Sequence, residues 1–320
     1  MKILVTGSNG FSARHLLRYL KGQDCWDIYC ADVKPPRDEP PRPDGALGDP
    51  KTDFFQCDLA CEDDVVKLIE CVMPDRIFHL AGKFTNDFNV DYAANVLSGR
   101  NLLESVQRAR RPCRILLVGS SAEYGLVPPE DNPVKEDHPL QPISIYGLTK
   151  AYQTYLARYY FAVHKMDVVA ARPFNLLGRG VSRELFVGHV YEQIDAYRSG
   201  RIAKISVGNL ESRRDWGRAQ DYVQAMWLML QHETADDYVV ATGETHSVRE
   251  FVDAAFAVVG LPWEKYVKHD SSFNRPTEPV HLVGCSEKIG KTLGWKPAGN
   301  FAQLVREMVE AELAAIDSRQ

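Results

Sequence analysis

Tyr146 and Lys150 lie four residues apart in SIYGLTKAYQ, where a helical pattern begins, so both face the same way. A phenol with a pKa of about 10 is a poor acid or base at neutral pH, and an ammonium beside it stabilises the phenolate and lowers that pKa. Such a pair can exchange a proton with a hydroxyl or ketone while another group exchanges a hydride. The spacing alone is weak, because among 14 tyrosines one YxxxK is expected by chance. Its context strengthens it. Upstream, VGSSAEYG (Val118 to Gly125) puts Ser120, Ser121, Glu123 and Tyr124 directly after an apolar run, and the residue types alone leave open which of them acts.

A second group sits at the start of the chain. In TGSNGFSA, Gly7, Asn9, Gly10 and Phe11 occupy a strand-to-helix turn, with Ala13 as a third small position. A pyrophosphate can settle on a helix N-terminus only where the backbone approaches closely, which glycines permit. Asp32, twenty-five residues beyond Gly7, ends the next apolar run, where a carboxylate can accept both hydroxyls of an adenosine ribose. It would repel a 2′-phosphate, so NAD(H) is favoured, and Lys34 and Arg37 keep NADP(H) open. Asp58 is either an adenine-side contact, next to Leu59, or a helix N-cap. HLAG (His79, Leu80, Ala81, Gly82) reads as a third strand end passing along the cofactor, with His79 packed or hydrogen-bonded rather than catalytic.

These groups need a parallel sheet to bring them together. KILVTG, WDIYCAD, FFQCDL, RIFHLAG, RILLVGSS and MDVVAARP read as strands. They are separated by helical patterns at SARHLLRYLKG, EDDVVKLIECV, NVLSGRNLLESVQRAR and YGLTKAYQTYLARYYFAVH. This is the repeat of βαβ units and predicts an α/β, Rossmann-type parallel sheet with helices on both faces. Beyond Asn175 the pattern is less regular, although RAQDYVQAMWLMLQ and DYVVATGE return to helix and strand. The expected division is therefore a dinucleotide-binding domain at 1–175 and about 216–250. A smaller, discontinuous C-terminal substrate domain would take about 176–215 and 251–320. Val280 to Gln320 reads as a short strand or loop, a GWKP turn and a final helix; the Pro-rich Val33 to Gly45 reads as an exposed loop.

Composition narrows the class. The chain has 320 residues, is 45% hydrophobic and 25% charged, and carries a net charge of −5, which suits a globular protein without a nucleic-acid surface. No apolar run approaches the roughly eighteen residues of a membrane span, and MKILVTGSNG does not read as a signal peptide. Seven scattered cysteines without paired CxxC knuckles predict free thiols in the cytoplasm and no metal site.

The order TGxxGF, Asp32, HLAG, Asn95, serine strand and Tyr146-x-x-x-Lys150 resembles the extended short-chain dehydrogenase/reductase family over essentially the whole chain, in its nucleotide-sugar epimerase/dehydratase branch. That resemblance implies Tyr146 as the proton-transfer residue and Lys150 as its partner and a nicotinamide-ribose ligand. Ser120, four before Tyr124, would be the hydroxyl on the reacting oxygen, with Ser121 as a helping neighbour. Tyr124 would be a structural or pocket residue. Asn95 would shape the backbone near the cofactor or cap a helix. Members that dehydrate the sugar carry acids two or three positions before that tyrosine, where this chain has Ala122 and Ser121. Glu123 is one position off and, on an extended strand, points to the opposite face, although a local turn could rescue it.

Further along, HPLQPISIYGLTKA, ARPFNLLGRG, VGNLESRRDW and RPTEPVHLVGCSEKIGKTLGWKP look similar to the GDP-6-deoxy-4-keto-D-mannose reductases of that branch, which use NAD(P)H. This likeness implies Asn175 on the substrate and Arg214 and Arg275 on its diphosphate, with Arg183 and Arg213 as weaker candidates. The expected function is reduction of the C4 ketone of a GDP-6-deoxy-hexulose. The alternatives are a 4-epimerase, then a 4,6-dehydratase, and outside enzymes a catalytically silent NAD-binding scaffold. The family also implies a homodimer through the helices after Asn95 and Tyr146.

Overall fold

Alternate residues of the first strand, β1 (Lys2–Thr6), are apolar on both sides: Ile3 and Val5 face one way, Leu4 the other, and all are fully buried. A strand with two apolar faces needs a helical layer over each. The computed structural model describes residues 1–23, 26–35, 52–181, 187, 190, 205–270 and 281–317, with the side chains of 205, 269 and 315–317 left aside. Arg37, Arg183, Arg275 and most of the Pro-rich stretch lie outside the described residues.

The sheet strands are β1, β2 (Asp27–Asp32), β3 (Thr52–Gln56), β4 (Arg76–His79), β5 (Arg114–Val118) and β6 (Val168–Pro173). Asp237–Val240 joins them as the seventh, at the far edge beside β6, and every pairing is parallel. Read across, the order is β3, β2, β1, β4, β5, β6 and then Asp237–Val240, which puts the reversal of winding between β1 and β4. The carboxyl ends flanking that reversal form the crevice of a doubly wound fold.

One face is covered by α1 (Phe11–Lys21) and by Ala219–Gln231, through Leu16, Leu20, Tyr222 and Met226. The other is covered by α2 (Glu62–Val72), with Ser98–Ala109 and Ile145–His164, through Leu68, Leu102 and Tyr160. A further apolar cluster gathers Leu177, Trp216, Phe251, Val305 and Val309. It holds the short pairings of Asn175–Leu177 with Trp216–Arg218 and of Ile205–Val207 with Val267–His269. Among the described residues no helix is long and apolar enough to cross a membrane, and the six described cysteines are free.

Three local readings change. The helical run around Asn95 opens as a π-helical segment, Tyr92–Leu97, before the regular helix starts at Ser98. The serine strand ends at Val118, and Ser121–Glu123 is a 3-10 turn, so strand alternation does not decide where Glu123 points. Near the C-terminus a helix, Glu287–Leu293, stands where a strand or loop was expected; Gly294, at φ 67°, ends it.

Candidate active site

The glycine turn is built for close approach. Gly7 has φ 68°, and a Cβ there would lie 2.5 Å from Ala81 Cα, so the turn packs directly on the strand end after β4. Gly10 N–H closes the turn onto Gly7 O at 2.9 Å, and α1 starts at the next residue, Phe11. At the end of β2, the Asp32 carboxylate accepts the Asn9 N–H at 3.0 Å through Oδ2, while Oδ1 lies 3.5 Å from Lys34 N. The Asn9 amide in turn donates to Lys34 O at 2.7 Å. Gly7, Asn9, Asp32, Leu80 and Ala81 thus meet at the crevice, and the glycine turn leading into the N-terminus of α1 suits the pyrophosphate of a dinucleotide.

Farther along the crevice, Ser120 caps the 3-10 turn with its Oγ accepting the Ala122 N–H at 3.1 Å, and its hydroxyl lies beside the Tyr146 phenol. Ser144 caps the helix carrying Tyr146 and Lys150, accepting the Gly147 N–H at 3.0 Å, which starts the helix one residue before the tyrosine. Gly147 itself is needed, since a Cβ would come within 2.4 Å of Ala122 O. Lys150 is buried; its Nζ donates to Val118 O and Gln153 Oε1, both at 2.9 Å, and lies 6.0 Å from the centre of the Tyr146 ring. Gly82 leaves room for it: a Cβ would stand 2.8 Å from Asn95 Oδ1 and 3.0 Å from Lys150 Nζ.

The electrostatics follow from burial. Enclosure pushes the Tyr146 phenol up to about 12, against the pull of the Ser120 hydroxyl, and Glu123 and Asp91 push it further. Lys150 is brought down to about 8 by burial, with Glu123 opposing. The tyrosine is therefore protonated and the lysine mostly charged at neutral pH, a state suited to giving a proton to a developing alkoxide. The approach of a positive nicotinamide would favour the phenolate in the reverse direction.

Asn95 is a backbone-shaping residue and no helix cap. Fully buried, it accepts the Lys83 N–H at 2.8 Å and donates to Lys83 O at 2.9 Å and Thr149 Oγ1 at 2.8 Å. This ties the strand end after β4 to the helix of Tyr146. His79 is packed, with Nδ1 2.8 Å from Thr6 Oγ1 and Nε2 3.3 Å from Ser98 Oγ. Tyr124 is fully buried and donates to Lys135 O at 3.0 Å.

Glu123 is the clearest correction. As a substrate contact it would need an open carboxylate, yet its side chain is fully buried. Oε1 accepts the Ser120 N–H at 2.7 Å, and Oε2 accepts the Thr154 hydroxyl at 2.8 Å. The turn that could have carried it into the crevice folds it under the site instead. Ser121 is also buried. Asp58 is not the cap of α2, whose N-cap is Cys61; its Oδ1 accepts the Ala60 N–H at 3.0 Å in the turn before it. Leu59 is buried against the α2 layer, so its side chain does not face the crevice.

Asn175 and Arg214 come close together through adjoining strands, since the Asn175 N–H donates to Asp215 O at 3.1 Å. Arg214 Nη1 donates to Arg213 O at 2.6 Å. Arg213 is committed elsewhere, to Glu250 at 2.9 Å and Thr245 O at 2.7 Å. Two residues at the site were not singled out from sequence. Gln153 was discoverable, being one turn beyond Lys150 on the same face. Phe84, edge-on to Tyr146 with ring centres 4.9 Å apart, left no local signal.

The family model for GDP-mannose 4,6 dehydratase matches residues 4–308. The chain belongs to the GDP-mannose 4,6 dehydratase family. It is 34% identical over 265 residues to GDP-mannose 4,6 dehydratase 1 of Arabidopsis thaliana, covering 80% of this chain and 73% of that one. Among solved structures, the RMD protein of Pseudomonas aeruginosa complexed with NADPH superposes with a TM-score of 0.82 at 24% identity, over 98% of both chains. DesIV, a dTDP-glucose 4,6-dehydratase of Streptomyces venezuelae with NAD and TYD bound, reaches 0.86 at 22%, over 98% of this chain and 97% of that one. Members of this family are NAD(P)-dependent extended short-chain dehydrogenase/reductase enzymes acting on nucleotide sugars, and the shared fold hosts more than one reaction.

Proposed function

We propose that this member reduces the C4 ketone of a GDP-6-deoxy-4-keto-hexose with NAD(P)H. The observation that carries the reading is the burial of Glu123. Dehydration requires a base to take the C5 proton, and the carboxylate nearest the Ser120–Tyr146 pair is turned into the interior, held by Ser120 N and Thr154 Oγ1. A bound nicotinamide supplies the hydride to C4. Ser120 hydrogen-bonds the carbonyl oxygen, Tyr146 gives it a proton, and the charged Lys150 lowers the cost of the tyrosinate left behind.

The glycine turn with Gly7, Asn9, Gly10 and Phe11 would hold the pyrophosphate. Asp32 would hold the adenosine ribose, which favours NAD(H), with NADP(H) admissible through Lys34. Asn175, at the end of a cofactor lobe of 1–175 and about 216–250, and Arg214, on a substrate lobe of about 176–215 and 251–320, would meet the sugar diphosphate. The match to GDP-mannose enzymes favours a GDP-linked substrate.

The helix Ile145–His164 presents Leu148, Tyr152, Tyr155 and Tyr159, each about half exposed, as one stripe beside Phe88 and Val90. A second copy of the chain would cover it, making a homodimer. Free described thiols and a demand for reduced nicotinamide suit the cytoplasm.

A second reading, 4,6-dehydration, is favoured by the names of the curated relatives. Cofactor accounting separates the two. With a GDP-4-keto-6-deoxy-hexose, the reductase consumes one reduced nicotinamide per alcohol formed; a dehydratase converts GDP-mannose to the ketosugar with no net consumption, and an epimerase also runs without added NADH. Tyr146→Phe should abolish turnover and leave cofactor binding intact. Ketosugar made from GDP-mannose by the wild-type protein would overturn the reading.

A further inference from the structure

We infer that Glu123 is a positioning residue for Ser120, Tyr146 and Lys150: its interior carboxylate clamps the turn that carries Ser120 and places a negative charge beneath Lys150. The inference rests on the assignment of Tyr146 and Lys150 as the proton-transfer pair.

Three observations support it. The carboxylate is bound at both ends, by the Ser120 N–H at 2.7 Å and the Thr154 hydroxyl at 2.8 Å, so it joins the serine turn to the helix of Tyr146 and Lys150. Its path is reserved by Gly119, just past the strand end, where a Cβ would stand 2.0 Å from Oε1 and expel the carboxylate. Finally, the charge lies beside a buried cation. Arg172 Nε lies 3.9 Å from Oε2, both side chains being fully buried, and that nitrogen has no hydrogen-bond partner. Lys150, one helical turn before Thr154 on the same helix, and Tyr146 feel its charge as well.

The groups facing Glu123 can be named element by element. Arg172 comes from β6, and its guanidinium is also bound to Tyr124 OH and Asp237, each at 2.7 Å. Lys150, Tyr146 and Thr154 come from the helix Ile145–His164, and Tyr124 follows on the turn itself. Burial raises the Glu123 carboxyl to about 7, with Arg172 the strongest opposing influence. Above that pH the ionised carboxylate supports the charge on Lys150, which its own burial would otherwise discharge. A hydrogen-bonded strut alone would lack this electrical effect.

Glu123→Gln tests the charge while keeping the shape. The alkaline limb of kcat, set by discharge of Lys150, should move down by about one pH unit, with KM for the nucleotide sugar and cofactor affinity within about twofold of wild type. The same displacement should appear without substrate, in the 13C signal of the Tyr146 ring carbon bearing the hydroxyl, followed in tyrosine-labelled protein and assigned with Tyr146→Phe. Thr154→Val withdraws one donor from the carboxylate and lets it keep its proton to higher pH. It should move both readouts the same way by a smaller amount, and it decides the matter alone if Glu123→Gln does not fold. Readouts that coincide with wild type in every folded variant would overturn the inference, even where activity drops uniformly. Because the resonance needs no substrate, a protein that reduces no ketosugar still reports on Glu123, and the two failures stay distinct.

Discussion

Gly119→Ala is a one-carbon change whose cost can be worked from the structure. The added Cβ would lie 2.0 Å from Glu123 Oε1, 3.1 Å from its Cδ and 3.2 Å from Ala171 O. The backbone oxygen can be accommodated by a shift of a few tenths of an ångström. The carboxylate cannot, because it is enclosed on all sides and must leave the Ser120 N–H. A hydrogen bond to a charged acceptor is worth about 1.5–3 kcal/mol. Forcing an extra carbon into a filled interior adds about 1–3 kcal/mol. The expected loss is therefore about 2.5–6 kcal/mol, to be read as a fall in thermal midpoint of at least about 4 °C. Ser120 would lose its anchor as well, so kcat should fall while cofactor affinity is kept. Pairing the change with Glu123→Ala separates clash from other effects, since with the carboxylate gone the alanine has room and the second substitution should cost little. A midpoint within about 1 °C of wild type in Gly119→Ala would refute the reasoning.

His79 supplies a pH test of the packing behind the site. Burial first, and then the Lys150 charge, lower it from 6.5 to about 3, so the folded protein keeps it neutral where the unfolded chain would charge it. Its folded value is depressed, so the stability it contributes is present above pH 6.5 and is lost as pH falls toward about 3. At about 1.4 kcal/mol per pH unit, the stability gap between wild type and His79→Gln should narrow by about 2–3 kcal/mol from pH 7 to pH 4.5 in urea titrations, and a constant gap would contradict the assignment. The proposed dimer face is tested by Tyr152→Glu with Tyr155→Glu. Charges on two half-exposed rings of the stripe should give a monomer in sedimentation velocity, whereas an unchanged sedimentation coefficient would point to another surface.

The local pattern was enough for the order of strands and helices and for the glycine turn and the Tyr146–Lys150 step on which the proposed function rests. Alternation in KILVT, the glycines after it, Asp32 at the next strand end and the four-residue step from Tyr146 to Lys150 are short-range features, set by side-chain periodicity and backbone freedom within a few residues. Identifying helix Glu287–Leu293 was also within reach, since Glu287 and Gly294 mark its ends.

Other features depended on residues far apart in sequence. Asn95 could be read as a cap or a backbone clamp because its partners, Lys83 and Thr149, meet only when the sheet and helix are assembled. Glu123 is the sharper case. Strand periodicity put it on the far face, and a turn could have returned it to the substrate, but the outcome was decided by Gly119, Thr154 and Arg172, contributed by two strands and a helix. Sequence spacing determines which side chains share a face within one element. Whether a carboxylate ends in the crevice or in the interior depends on the space and charge that other elements leave for it, and that is a property of the tertiary structure alone.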